Sequence, residues 1–351
     1  MNGRQKALKK FPLWAHTTNC YYPPNLNLEQ TSSEITARYK SALVSGGTLL
    51  DVTGGFGIDD YYFSKVMQEV IHCELNPELS IIAKHNFTQL KSKNITCITG
   101  DGLETLKNQQ QLLDWVYIDP SRRSDDQSKV FFLEDCLPDV PKHLDLLFEK
   151  STNILTKTAP LLDITAGLRS LKYVKEIHIV AVHNDVKEVL WLLEKGYELE
   201  PVIKTVNFTS QKTMHFQFRL SEESNNIVNQ SLPSNYLYEP NAAIIKSGAF
   251  SSVSNQLKID KLHTNTHLYT STDLQPYFPG RSFKIQQILP YNKKAIKKTG
   301  ITKANITTRN FPESVAVLRK KFKIKDGGNS YLFFTTTMDE RKVILVCEKV
   351  V

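Results

Sequence analysis

From Thr48 onward the chain alternates between two kinds of block. TLLDVTG, EVIHCE, NITCITG, DWVYIDP, NILTKTAP and EIHIVAV are short, nearly continuous apolar runs. Such runs read as strands buried on both faces. Between them lie longer mixed stretches: DYYFSKVM, PELSIIAKHNFTQLK, GLETLKNQQQLL, VFFLEDCLPDVPKHLDLLFEK (interrupted near Pro138 and Pro141) and HNDVKEVLWLLEKG. These read as helices, and strands alternating with helices of this length predict a parallel, doubly wound α/β sheet. HFQFRL follows TVNF with no helix between them, as suits an antiparallel strand at one end.

The flanks follow different patterns. Residues 1–47 form a small N-terminal helical segment: a basic, aromatic start, then LEQTSSEITARYKSALVSGG with Thr or Ser as N-cap and a stop at Gly46-Gly47. RQKALKKFP reads as the end of a basic helix that once began further upstream. Residues 222–235, EESNNIVNQSLPSN, are polar without apolar period and predict a linker. Short mixed segments then run from 236 to 351 and suggest a second, α+β domain with an antiparallel sheet. The main domain accordingly spans 48–221.

Composition narrows the classes. The 351 residues are 40% hydrophobic and 23% charged, which excludes a wholly disordered chain. No apolar run approaches the ~20 residues of a membrane span, and no apolar stretch follows the basic N-terminus as a signal peptide requires. Five cysteines, none close to another in sequence, argue against a disulfide framework or a Cys-x-x-Cys zinc site and for a cytoplasmic setting. No metal is expected, since the His263/His267 pair has no carboxylate or cysteine partner at ligand spacing. The charge is uneven. From Leu232 onward there are 19 Lys+Arg against 8 Asp+Glu, a net of +11, whereas the first 231 residues carry a net of −3. One part therefore suits a small ligand and the other a polyanion, with a merely solvated basic surface as the alternative.

The chemistry gathers where strands end, which is where open α/β sheets bind ligands. LLDVTGGFGIDD offers Asp51, Thr53, Gly54, Gly55, Gly57 and Asp59 in a glycine-rich turn. The dinucleotide fingerprint needs a third glycine at position 60, where Asp60 stands. An acid-rich loop of this kind suits a sulfonium, hence S-adenosylmethionine, better than the pyrophosphate of a dehydrogenase cofactor. Glu74 ends the second strand, 20 residues after Gly54, at the place where an acid holds ribose hydroxyls. Asp101-Gly102 follows the third strand, and Asp119-Pro120-Ser121-Arg122-Arg123 the fourth. Each acid alone could be a simple helix or loop cap. Four at four successive strand ends form a pattern.

These residues resemble class I S-adenosylmethionine-dependent methyltransferases over about residues 48–220. The resemblance implies a Rossmann-like methyltransferase sheet. It assigns the methionine part of the cofactor to Asp51, Gly54, Gly55 and Gly57, the ribose to Glu74 and the adenine to Asp101. DPSRR is similar to the Asp/Asn-Pro-Pro motif of nucleic-acid base methylases, with Ser121 in place of the second proline. That likeness implies Asp119, Pro120 and Ser121 as the residues that present an amino nitrogen to the methyl donor. No aromatic stands directly after Pro120 to stack on a base, although Phe131 and Phe132 lie downstream. Arg122 and Arg123 either bind phosphate or pair with Asp125 or Asp126. With YLYEPNAAIIKSGAF, FPGRSF, RNFPESVAVLRKKFKIKDGG and YLFFTT, the whole chain resembles bacterial methyltransferases with a THUMP-like, ferredoxin-like C-terminal domain. RNA, a tRNA or rRNA, is the implied partner. Arg281, Arg309, Lys320 and Lys321 are candidate phosphate contacts, with structural ion pairs as the alternative for the arginines. The competing readings are a methylase acting on DNA or protein, and a non-catalytic RNA-binding protein with a degenerate methylase fold. The helix bearing Ser32, Ser33, Tyr39 and Lys40 either packs over the cofactor or is a structural lid.

Overall fold

In the computed structural model, residues 3–22, 31–122, 132–225 and 228–350 are described. The chain divides into two compact units, residues 1–182 with 187–202, and residues 183–186 with 203–351.

The first unit is built on strands β1 (Gly46–Asp51), β2 (Met67–Glu74), β3 (Ile95–Thr99) and β4 (Leu113–Ile118), the short strands β5 (Ser121–Arg122) and β6 (Cys136–Leu137), then β7 (Ser151–Thr158), β8 (Val174–Val182) and β9 (Asp185–Glu194). Within this unit the large sheet runs β3-β2-β1-β4-β7-β9-β8. β1 pairs in parallel with β2 and β4, β2 with β3, and β4 with β7, while β9 runs antiparallel to β7. The expected Rossmann-like sheet is therefore present, but HNDVKEVLWLLEKG is a strand rather than the helix its length suggested. Six successive residues, Glu188–Leu193, are buried, so the segment has no solvent face for a helix to present. β5 and β6 form a separate antiparallel ribbon.

Helices follow the strand ends. Glu34–Ser41 is capped by Ser33, which accepts from the Thr36 N–H and closes a capping box. Ile58–Phe63 starts at Gly57, Pro77–Gln89 is capped by Asn76, and Gly102–Lys107 by Asp101. The N-terminal helix Pro12–His16 drives Trp14 into an aromatic cluster with Phe56, Tyr61 and Phe87, with Trp14 and Phe56 ring centres 5.1 Å apart. This cluster anchors Phe56, and with it the glycine loop on either side.

In the second unit, β10 (Val202–Phe208) and β11 (Thr213–Phe218) pair antiparallel, so HFQFRL forms the expected antiparallel strand. The remaining strands are β12 (Tyr236–Pro240), β13 (Asp260–His263), β14 (Thr266–Ser271), β15 (Gly280–Pro290), β16 (Asn305–Arg309), β17 (Ser330–Thr336) and β18 (Lys342–Val350). They form a second sheet in the order β13-β14-β12-β15-β18-β17-β16. It is antiparallel except for the β16–β17 pair. Leu318, Leu332, Phe334 and Ile344 belong to one of its apolar clusters, and Leu237, Phe283, Phe333 and Leu345 to another. The start of the stretch read as a linker, residues 222–225, belongs to helix Leu220–Asn225, and Glu223 accepts the Phe250, Ser251 and Ser252 N–H groups at the start of helix Phe250–Leu257.

Candidate active site at the carboxyl edge of the first sheet

The loop after β1 is shaped by close approach. A Cβ on Gly54 would lie 2.3 Å from the His72 ring and 2.8 Å from the Cys73 carbonyl, and Gly55 and Gly57 have φ of +57° and +83°. The Gly55 N–H donates to Glu74 Oε2 at 2.8 Å, and the Asn76 N–H donates to Glu74 Oε1 at 2.7 Å. Glu74 thus sits between the first and second loops, in a cleft of about 750 Å³ that it lines with Leu75, Asn76, Pro77 and Glu78.

Asp101 Oδ1 accepts the Leu103 and Glu104 N–H groups, and Gly102 lies so close to Val52 that a Cβ would meet its carbonyl at 2.2 Å. Asp51 is buried and accepts both the N–H and the hydroxyl of Thr53. Burial holds the Asp51 carboxyl well above the usual range, with Asp60 adding to the shift. Thr53 Oγ1 in turn accepts the Asp119 N–H at 2.7 Å. One hydroxyl therefore joins the ends of β1 and β4.

Two acids of the loop point elsewhere than the sequence suggested. Asp59 Oδ2 accepts from Ser32 Oγ (2.8 Å) and Tyr117 Oη (2.9 Å), and Oδ1 lies 3.3 Å from Lys40 Nζ. Lys40 is fully buried and also pairs with Glu188 at 2.8 Å. Asp60 is fully buried against His72 Nδ1 at 2.5 Å, so its carboxylate is not presented at the surface of the loop, where the sequence had placed it. Desolvation raises the Asp60 carboxyl and lowers the His72 imidazole. Helix Glu34–Ser41 is accordingly bound to the sheet through Lys40, which also donates to Ser32 Oγ, and through Tyr39, whose hydroxyl lies 2.7 Å from His178 Nδ1.

The residue that sequence reasoning missed is Lys157. It is the next-to-last residue of β7, beside β4, where Ile118 is in register with Thr156, and its ammonium pairs with Asp119 Oδ2. Burial opposes the lysine charge. Asp119, then Asp59 and Glu188, more than offset it and hold the pKa above the ordinary lysine value. The available signal was its position, the one cation inside the fifth apolar run. After Asp119-Pro120, Ser121 and Arg122 form β5, paired with Leu137 and Cys136, and Arg123 lies outside the described residues.

A solved structure described as a "putative methyltransferase" from Porphyromonas gingivalis W83 matches at 34% identity and a TM-score of 0.92, covering 99% of this chain and 88% of that one. This chain belongs to that methyltransferase family. In this methyltransferase the C-terminal sheet matches two family models: a ferredoxin-like domain over residues 236–279 and a THUMP domain-like model over residues 280–349. Weaker likenesses include a structure described as a "putative RNA methyltransferase" from Pyrococcus horikoshii (13% identity, TM-score 0.35, 52% of this chain and 97% of that one). Another is described as a "putative methyltransferase" from Streptococcus mutans in complex with SAH (13%, TM-score 0.34, 46% and 96%). Comparison with curated proteins found no match.

Within the C-terminal unit of the methyltransferase, Arg281 and Arg309 converge on one buried carboxylate, Glu239. Arg281 Nε lies 2.7 Å from Oε2 and Arg309 Nη2 lies 2.7 Å from Oε1. Both arginines are thus in the ion pair that stood as the alternative reading, although both remain part-exposed. Lys321 pairs with Glu313 at 2.9 Å and bonds the Tyr291 hydroxyl, whereas Lys320 is exposed. Helix Lys293–Thr299 buries Ile296 and exposes Lys293, Lys294, Lys297 and Lys298, while helix Val315–Phe322 buries Leu318. His263 Nε2 is 2.9 Å from Glu340, and His267 stacks on Phe250 with ring centres 3.6 Å apart. Among the described residues, no group of three His, Cys, Asp or Glu is placed to hold a metal, and no helix is long and apolar enough to cross a membrane.

Proposed function

We propose that this methyltransferase uses S-adenosylmethionine to methylate a base nitrogen of RNA, and that the basic helices of the C-terminal unit dock the RNA. The observation that carries the reading is the carboxyl edge itself. There a glycine loop with no room for a Cβ, Glu74, Asp101 and Asp119 follow four adjacent parallel strands. The cradle fits an adenosyl sulfonium: Glu74 would hold the ribose, Asp101 the adenine, and Asp51 with residues 53–57 the methionine part. When bound, the cofactor supplies an electrophilic methyl group.

The remaining chemistry belongs to the chain. Asp119 accepts a hydrogen bond from the target amino group and aims its lone pair, which is chiefly orientation. Lys157 pairs with Asp119 and fixes the carboxylate plane. Pro120 and Ser121 lead the backbone away into β5, so that the carbonyls after Asp119 flank the target. Arg122 and Arg123 follow directly and would meet the phosphates beside the target nucleotide. Lys320 and the exposed lysines of Lys293–Thr299 supply the sequence-neutral part of the affinity. Arg281 and Arg309 contribute through the N–H groups that Glu239 leaves free.

Isothermal titration with S-adenosylmethionine tests the cofactor assignment. Glu74→Ala removes an acceptor of two backbone N–H groups as well as the ribose contacts, and is expected to weaken binding about 10- to 100-fold, from ~1.5–3 kcal/mol per charged hydrogen bond. Asp119→Asn should bind the cofactor normally and lose methyl transfer. No binding at millimolar cofactor overturns the proposal. Mass spectrometry of RNA nucleosides from cells with and without the gene identifies the product.

A further inference from the structure

Resting on that reading, we propose that a groove beside the β4 strand end is a nucleobase subsite in which Phe132 supplies the aromatic face that the Asp-Pro-Ser-Arg motif lacks. Beyond Arg122 the described chain resumes at Phe132. Leu133–Asp135 form a short 3-10 turn, and Cys136-Leu137 pair with Arg122 and Ser121. Phe132 is therefore tied to the two residues that follow Asp119-Pro120, and it is 56% exposed. It lines a groove of about 310 Å³ together with Glu134, Asp135, Ala166, Arg169 and Ser170. That volume is at the lower end of small-molecule sites, as one planar base requires.

The far wall is one face of helix Ile164–Ser170, since residues 166, 169 and 170 have i, i+3 and i+4 spacing. This helix follows β7, the strand that carries Lys157, so both walls spring from the β4–β7 strand ends. Ser170 Oγ donates to Glu134 Oε1 at 2.5 Å, which fixes the acid at the rim and leaves Oε2 without a partner among the described residues. The chemistry is specific: an aromatic face for stacking, two carboxylates that accept from amino groups, and a guanidinium for the strand's phosphate. Adenine, cytosine and guanine carry an exocyclic amino group, and uracil does not. The groove should therefore prefer the first three.

The three native tryptophans, Trp14, Trp115 and Trp191, are all buried, so Phe132→Trp in the full-length chain places a lone exposed reporter in the groove. Single-stranded pentaribonucleotides of A, C or U, and an abasic ribose-phosphate pentamer, are titrated against it. Quenching by the A and C pentamers, weaker quenching by U and none by the abasic strand is expected. Phe132→Ala should raise the dissociation constant for the A pentamer at least about fivefold. Glu134→Gln with Asp135→Asn in the F132W chain should erase the preference for A and C over U. Absence of quenching by every pentamer, or equal quenching by the abasic strand, overturns the subsite. Titrating S-adenosylmethionine into the wild-type chain separates the two ideas: failure there removes the methylase reading and leaves a base site, whereas normal binding without quenching removes the subsite alone.

Discussion

Single residues are where sequence and structure differ most. The placement of Glu74, Asp101 and Asp119 at strand ends was legible because each stands directly after an apolar run, although Asp101 also caps the helix Gly102–Lys107. Lys157 was not, because one cation in an apolar run looks like a strand end reaching solvent, and its partner lies 38 residues earlier. Glu239, inside YEP, offered no signal that it would take two arginines. Asp59 and Asp60 looked like their neighbour Asp51, and only packing shows that they serve Lys40 and His72. His267 permits a pH prediction. Burial, followed by Lys261 and Arg309, lowers its pKa to about 4, with Glu223 opposing. The unfolded value is about 6.5, so between these values the unfolded chain takes up a proton that the folded chain refuses. This contribution to stability is present above pH 6.5 and is lost as pH falls toward 4. His267→Phe, which keeps a ring on Phe250, should lose less thermal stability than wild type between pH 7 and pH 5. Parallel melting curves across that range would refute the assignment.

At the scale of elements, β1, β2, β4 and β7 were readable because strands inside a parallel sheet carry a buried apolar run. β9 was misread because VLWLL, with charged flanks, is long enough for a helix. Its neighbour on the sheet decides the matter, since β7 offers a full antiparallel edge from Thr158 to Asn153. That strand also carries Glu188 to Lys40, which fastens helix Glu34–Ser41 to the sheet. Lys40→Ala would leave Glu188 and Asp59 buried without their cation, a loss of roughly 3–5 kcal/mol. Denaturant unfolding should show this as a lower midpoint. The double variant Lys40→Met with Glu188→Leu, which removes both charges, should recover part of the loss; no recovery would mean that the pair is not the fastening.

For the whole molecule, the charge asymmetry read from the sequence becomes a matter of surfaces. The exposed lysines cluster on Lys293–Thr299 and around Lys320, Lys323 and Lys325, whereas several arginines that looked equally available are committed to acids. RNA affinity of the full chain should therefore fall steeply with salt. Changing Lys293, Lys294, Lys297 and Lys298 to Gln should flatten the log–log slope by about 0.7 for each single-strand phosphate that these lysines no longer neutralise. An unchanged slope would place the RNA on another face.

The Thr53 hydroxyl carries a consequence for the order of events. It gives its proton to Asp51 and receives the Asp119 N–H, so a shift of either strand end is felt at the other. A ligand that tightens the β1 loop then also settles the backbone of Asp119, and thermodynamic reciprocity requires the converse. The two ligands should therefore bind with positive cooperativity, each lowering the dissociation constant of the other, without any large movement of the sheet.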